Sequence, residues 1–162
     1  MDIAIRAATA NDLEKVIYIE SICFPATEAA TPKSLKERLA AFKHSFLVAE
    51  HNGEVIGLIN GCVTKQHKLT DELYASVELH DDSAPCQMIF GLAVHPQYQN
   101  QGIAGMLMQE FIAKARVRNK ERVVLTCKKE RLKFYEKFGY QDEGESTSTH
   151  GGVVWHDMTL FL

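Results

Sequence analysis

Apolar and polar residues alternate as the chain begins, Ile3 and Ile5 against Ala4 and Arg6, so residues 2–8 read as a strand. The period then lengthens. Leu13, Val16 and Ile17 fall on one helical face, and Thr9 with Asp12 forms a capping box ahead of them. Proline halts that helix near Cys23-Phe24-Pro25, and Thr31-Pro32 opens a second one, with Leu35, Leu39 and Phe42 as its buried face. Ser45–Glu50 alternates again, Asn52-Gly53 is a two-residue hairpin signal, and a return strand is expected from Val55 to Thr64. Within it, Gly57 and Gly61 mark bends or a close backbone approach.

Residues 65–85 are polar and acidic, with Asp71, Glu72, Glu78, Asp81, Asp82, His67 and His80, and no cation after Lys68. A connection this long inside a compact domain is usually functional or disordered; a short helical turn is expected near Leu69–Tyr74. Met88–Val94 is an unbroken apolar run, predicting one continuous central strand covered on both faces. After Gly102 the positions Ala104, Leu107, Met108, Phe111, Ile112 and Ala115 share one helical face. A strand over Val123–Cys127 follows, then a helix over Leu132–Phe138 stopped by Gly139. Strands at Gln141–Glu145 and Val153–Leu160 end the chain. The order is β-α-α-β-β-β-α-β-α-β-β.

Composition narrows the class. With 162 residues, 46% hydrophobic and 24% charged, the chain is expected to form one domain spanning 1–162. No apolar run approaches the roughly 18 residues of a membrane span, and the first residues lack a secretory pattern. Long tails that could carry regulatory phosphorylation are not expected either. Cys23, Cys62, Cys86 and Cys127 stand far apart without Cys-x-x-Cys spacing, so neither a metal site nor a disulfide framework is expected, and a cytoplasmic location is. The net charge of −3 conceals a block: residues 114–137 carry ten Lys/Arg against three Glu, and the rest sum to −10. No exposed aromatics accompany the block at the spacing single-strand binders use, so nucleic acid is not an expected partner. Its place after the glycine-containing loop favours a phosphate-bearing ligand; a solvated helix face accounts for most of the individual lysines.

Gly91–Gly105 reads as strand, loop and helix. Such a junction leaves backbone N–H groups converging at a helix start, where phosphate binds well, and Gly102 lets a ligand approach the backbone. An ordinary strand-to-helix connection would look the same. The motif Gln99-x-x-Gly102-x-Ala104, set after Leu92-Ala93-Val94-His95-Pro96 in this element order, resembles the GNAT superfamily of acetyl-CoA-dependent N-acetyltransferases. Phe134-Tyr135-Glu136-Lys137-Phe138-Gly139-Tyr140 resembles that superfamily's second signature. The resemblance covers essentially the whole chain and implies an α/β layered fold with a central mixed sheet flanked by helices. A narrower likeness is to the arylalkylamine (serotonin) N-acetyltransferase group, microbial type. It rests on Leu92-Ala93-Val94-His95, Gln101-Gly102, Val124-Leu125-Thr126-Cys127, Phe24-Pro25-x-x-Glu28-Ala29-Ala30 and Leu69-Thr70-x-Glu72. Met88 and Phe90 depart from it, standing where vertebrate members carry two histidines proposed to remove the substrate's proton.

The resemblance implies acetyl-CoA as cosubstrate, no metal, and direct attack by a primary amine, of the small arylalkylamine kind. It implies that the backbone of Leu92, Ala93 and Val94 pairs with the pantetheine, with the Leu92 N–H polarising the thioester carbonyl. Gln99, Asn100, Gln101, Gly102, Ile103, Ala104 and Gly105 would form the pyrophosphate loop. Thr126 at the mouth of the gap is a further contact or a plain strand threonine. Lys128 and Lys129 are candidates for the terminal phosphate, although a solvated face is the favoured reading of each. An alkylammonium has a pKa of about 10.4, so the acceptor must lose a proton before it attacks. Tyr135 is the expected acid for the leaving thiolate. Two residues are candidate bases, Glu28 in the loop between the first helices and, second to it, His80 in the acidic loop. His95 reads as structural, and His150 and His156 have no supporting context. The acidic stretch 71–82 is expected near the acceptor, drawing in a cation. Acetylation of a protein N-terminus or lysine and a non-catalytic acyl-CoA-binding module are the alternatives, and the molecule is expected to be a monomer or homodimer.

Overall fold

Two sheets share one chain path and part from each other in the middle of the molecule. The computed structural model describes residues 1–162. Its strands are β1 (Ala4–Ala7), β2 (Phe46–His51), β3 (Glu54–Asn60), β4 (Val63–Thr64), β5 (Cys86–Met88), β6 (Gly91–Val94), β7 (Arg122–Cys127), β8 (Gln141–Glu145) and β9 (His156–Phe161). The first sheet has the order β1-β2-β3-β6 and the second β4-β5-β7-β9-β8. All neighbours are antiparallel except β5 and β7, so the second sheet is mixed.

The parting falls inside the two segments expected as continuous strands, and both expectations are corrected. Met88–Val94 is interrupted at Ile89-Phe90: the Ile89 N–H donates to the Val124 carbonyl at 2.8 Å, and the Phe90 N–H turns the other way, to Asn60 at 2.7 Å. Val55–Thr64 breaks at Gly61-Cys62, where the chain crosses from the first sheet to the second. A side chain at Gly61 is impossible there, since an added Cβ would lie 1.8 Å from the Met88 carbonyl oxygen.

Helices cover both faces. Helix α1 (Leu13–Cys23) and α2 (Pro32–Ala41) pack on one, with Val16, Ile19, Leu35 and Phe42 buried against Val48, Leu58 and Ala93. The Thr9 capping box is present: its N–H donates to the Asp12 carboxylate at 2.8 Å, and Arg6 donates two bonds to the same carboxylate. Thr31 accepts from the Ser34 N–H and so caps α2, with Pro32 in its first turn. On the other face lies α4 (Ile103–Val117), following the short α3 (Asp71–Ala75). The buried stripe of α4 begins at Ile103 rather than Ala104, then runs through Leu107, Met108, Phe111, Ile112 and Ala115. Helix α5 (Leu132–Glu136) packs near β8. This layered arrangement of a mixed sheet system between helices is the expected fold class. None of its helices is long and apolar enough to cross a membrane.

Candidate active site

Between β6 and β7 the parted sheets leave a groove of about 610 Å³, running from the start of α4 to the α1–α2 loop. β6 pairs only with β3, so its other edge faces this groove. The direction of each backbone group follows from the register. Leu58 opposes Ala93 and Ile59 opposes Leu92, and the His95 N–H donates to the Ile56 carbonyl at 2.8 Å. Bonding alternates along an antiparallel pair, so Ala93 faces β3 while Leu92 and Val94 turn their polar groups toward the groove. The Val94 carbonyl bears this out, accepting from the Gln99 side chain at 2.9 Å and the Cys23 thiol at 3.2 Å. Ala93 therefore reaches the groove without free backbone groups.

The far end of the groove is the start of α4. Gly102 has φ +82°, in the left-handed region, and Asn100 has φ +62°. This bent approach leaves the N–H groups of Gly102, Ile103, Ala104 and Gly105 without backbone partners, and the helical ladder starts with Met106 donating to Gly102 at 3.1 Å. Nothing lies within 4 Å of where a Gly102 Cβ would stand, so the space above the loop is open. Free donors at the positive end of a fifteen-residue helix favour an anion. Gln99, Asn100, Gly102, Ile103, Ala104, Gly105 and Thr126 all line the groove, but Gln101 does not. Of the lysine pair only Lys128 lines it, joined by Arg131.

Tyr135 projects from α5 into the groove, packed edge-on against Phe134 and Tyr140, and burial pushes its hydroxyl well above the ordinary tyrosine range. It is therefore a protonated donor at any working pH. Glu28 also lines the groove. Its carboxylate accepts from Lys128 at 3.0 Å, and its carbonyl meets His150 Nε2 at 2.9 Å, so the α1–α2 loop is clamped from two sides. His80 is not brought to this site. Its Nδ1 accepts from the Val63 N–H at 2.9 Å, its Nε2 faces Asp82 at 3.1 Å, and its ring packs on Phe42, so its two nitrogens are committed elsewhere. Desolvation lowers its pKa.

The acidic stretch does not gather round the acceptor either; of residues 71–82 only Tyr74 lines the groove. Asp71 is tied to Ser148 and to Thr149, and Asp82 pairs with Arg118 at 3.0 Å. These carboxylates staple loops. Met88 is wholly buried, whereas Phe90 lines the groove.

Several groove residues have no signal in a linear reading. His150 stacks on Tyr74 with ring centroids 5.0 Å apart and 5° between planes, Tyr74 packs on Phe90 at 4.7 Å, and Trp155 lies beside His150 at 6.2 Å. Burial pushes the Tyr74 hydroxyl up to about 12. Glu20 of α1 also reaches the groove, from a helix face it shares with the buried Val16. A carboxylate on a buried helix face was the available clue.

The site is thus a parted sheet with one free strand edge, ending on a helix start ready for phosphate. The chain belongs to the acetyltransferase (GNAT) family, whose model matches residues 13–140. Individual relatives extend the likeness. The chain is similar to the serotonin N-acetyltransferase of Mesocricetus auratus, 26% identical over 97% of this chain and 76% of that protein. Among solved structures it resembles the GNAT-like decarboxylase GphF in complex with isobutyryl-CoA, at TM-score 0.85 and 21% identity over 98% of each chain. It also resembles the loading GNATL domain of CurA from Lyngbya majuscula, at TM-score 0.85 and 15% identity over 99% of this chain and 98% of that one. At these identities the structural likeness is one of fold. The enzyme is an acyl-CoA-dependent acyltransferase.

Proposed function

We propose that this enzyme transfers the acetyl group of acetyl-CoA to a small arylalkylamine. The observation that carries the acceptor class is the make-up of the groove's second end, where Tyr74, Phe90, His150 and Trp155 form a connected aromatic wall beside the carboxylates of Glu20 and Glu28. An aryl group is received by the rings and an ammonium by the carboxylates.

The cosubstrate supplies an activated acetyl group as a thioester. Free N–H groups at the start of α4 hold its pyrophosphate, and the free edge of β6 aligns the extended pantetheine as a further strand would lie. The Leu92 N–H, turned into the groove, stabilises the carbonyl oxygen as negative charge develops on it, an effect typically worth about 10²–10³ in rate. Tyr135 donates its proton to the departing sulfur. Glu28, anchored by Lys128, docks the ammonium. Holding both reactants in one groove removes much of the entropic barrier to their meeting.

Purified enzyme assayed with tryptamine, phenethylamine, spermidine and a lysine-containing peptide tests the reading. The two arylalkylamines are expected to show the highest kcat/KM. Turnover confined to the peptide would refute the small-amine acceptor, and turnover of spermidine alone would refute the aryl requirement.

A further inference from the structure

Four buried side-chain polar atoms in the molecule lack a hydrogen-bond partner, and two of them converge. Glu20 Oε1 and Asn60 Nδ2 each lie 3.7 Å from the point where a Cβ on Gly91 would stand. Glu20 is 5% exposed and Asn60 0%. Buried polar atoms are normally hydrogen-bonded, so the aim of these two at one spot calls for an occupant.

Each free atom is oriented by what holds its other end. The Glu20 Oε2 accepts from the Ala30 N–H at 2.9 Å. Arg38 Nη1 donates to Asn60 Oδ1 at 3.2 Å. A guanidinium can only donate, so the Asn60 oxygen must face it and the amide N–H₂ must face Gly91. Arg38 is itself buried, its guanidinium 4.6 Å from the centre of the Phe90 ring. The spot lies over Gly91, one residue from Leu92, and both Glu20 and Gly91 line the groove.

We propose that Glu20 is the base that takes the acceptor's proton, directly or through a water held by Asn60. The assignment rests on the amine-acetylating reading above and deepens it. One ammonium proton passes to Glu20 Oε1, and the freed nitrogen lone pair forms the C–N bond as the C–S bond breaks. Sulfur takes the Tyr135 proton, and the nitrogen's second proton restores Tyr135. Glu20 then releases its proton to solvent. Burial raises the Glu20 pKa toward the range a working base needs. The groups around it are Ala30 N–H, Arg38, Cys23, Tyr74 and His150, of which the Ala30 hydrogen bond, Arg38 and His150 oppose the rise, in that order. This supplies from α1 a proton acceptor that neither Met88 nor Phe90 can provide.

The test compares two acceptors on Glu20→Gln: phenethylamine, charged at pH 7, and a phenethyl-substituted alkoxyamine, already neutral there. Loss of about 10²-fold in kcat/KM with phenethylamine, a much smaller loss with the alkoxyamine, and disappearance of the acid limb of the pH profile are expected. Equal losses with both acceptors, or an acid limb that vanishes in Glu28→Gln and persists in Glu20→Gln, would overturn the assignment. Gly91→Ala provides a check independent of the carboxylate's folding role. Its methyl meets both free atoms at ordinary contact distance, so it should fold and bind CoA normally yet lose at least about tenfold in kcat with phenethylamine. Full activity in that variant would also overturn it. A wild-type enzyme inert toward every amine would sink the amine reading itself, whereas an active wild type with an unaffected Glu20→Gln would sink only the base.

Discussion

The two ends of the groove are built from different materials. At the α4 end the unpaired polar groups belong to the backbone: the N–H groups of Gly102 to Gly105 and the free edge of β6. At the α1–α2 end they are side chains drawn from five separate stretches, Glu20, Glu28, Tyr74, Phe90 and the pair His150 and Trp155. A backbone site depends on conformation and tolerates many sequences provided its glycine is kept. A side-chain site depends on identity, and small substitutions can change what it accepts. The first end suits an invariant cosubstrate handle, the second a selective acceptor.

Variants can break this division or sharpen it. Tyr135→Phe is expected to have the largest effect, a loss of about 10²-fold or more in kcat with the CoA dissociation constant unchanged, measured by initial rates and calorimetry. Gly102→Ala should strike the backbone end alone. A side chain at φ +82° costs roughly 1–2 kcal/mol of stability, and the methyl enters the space above the loop, so KM for acetyl-CoA should rise about tenfold while the ranking of amines stays the same. Trp155→Ala should do the reverse, raising KM for tryptamine several-fold, by roughly 1 kcal/mol of lost aromatic contact, with KM for acetyl-CoA unchanged. If both Michaelis constants moved together in either variant, the two ends would not be independent.

Asp12→Ala lies outside both ends and should leave kinetics untouched. Loss of the capping box costs about 1 kcal/mol in urea unfolding at pH 7. Hydrogen bonds from Arg6 hold the Asp12 carboxyl below the ordinary carboxylate range, so its contribution is present above the unfolded-state pKa of about 3.9 and is lost as pH falls through the lower folded value. The gap between wild type and variant should therefore close in acid.

The same division governs what could be read from the chain. The α4 end was legible because its requirements are local: an apolar run, Gln99, Gly102 and a helical stripe all lie between Met88 and Ala115. The place of Tyr135 in the groove was legible through its signature. The interruption of Met88–Val94 was not, because an apolar run carries no record of which neighbour each N–H will bond, and at Ile89 and Phe90 those directions diverge. Residues such as His150 and Glu20 meet only through the fold, 130 positions apart in sequence. His80 misled for a related reason: its sequence context is polar and acidic, yet tertiary packing turns its ring onto Phe42 and away from the groove.

The free edge of β6 carries one more consequence, for how the protein behaves in company. On the outside of a sheet, a strand with unpaired N–H and C=O groups is a template for other chains, and association or aggregation follows. Here the edge is sunk between two sheets, flanked by α5 and the clamped α1–α2 loop. A neighbouring protein's strand would arrive with its own sheet behind it and meet those elements on either side of the groove. A slender extended ligand brings no such sheet, and the fold thereby turns an edge that would invite association into a surface for its own ligand.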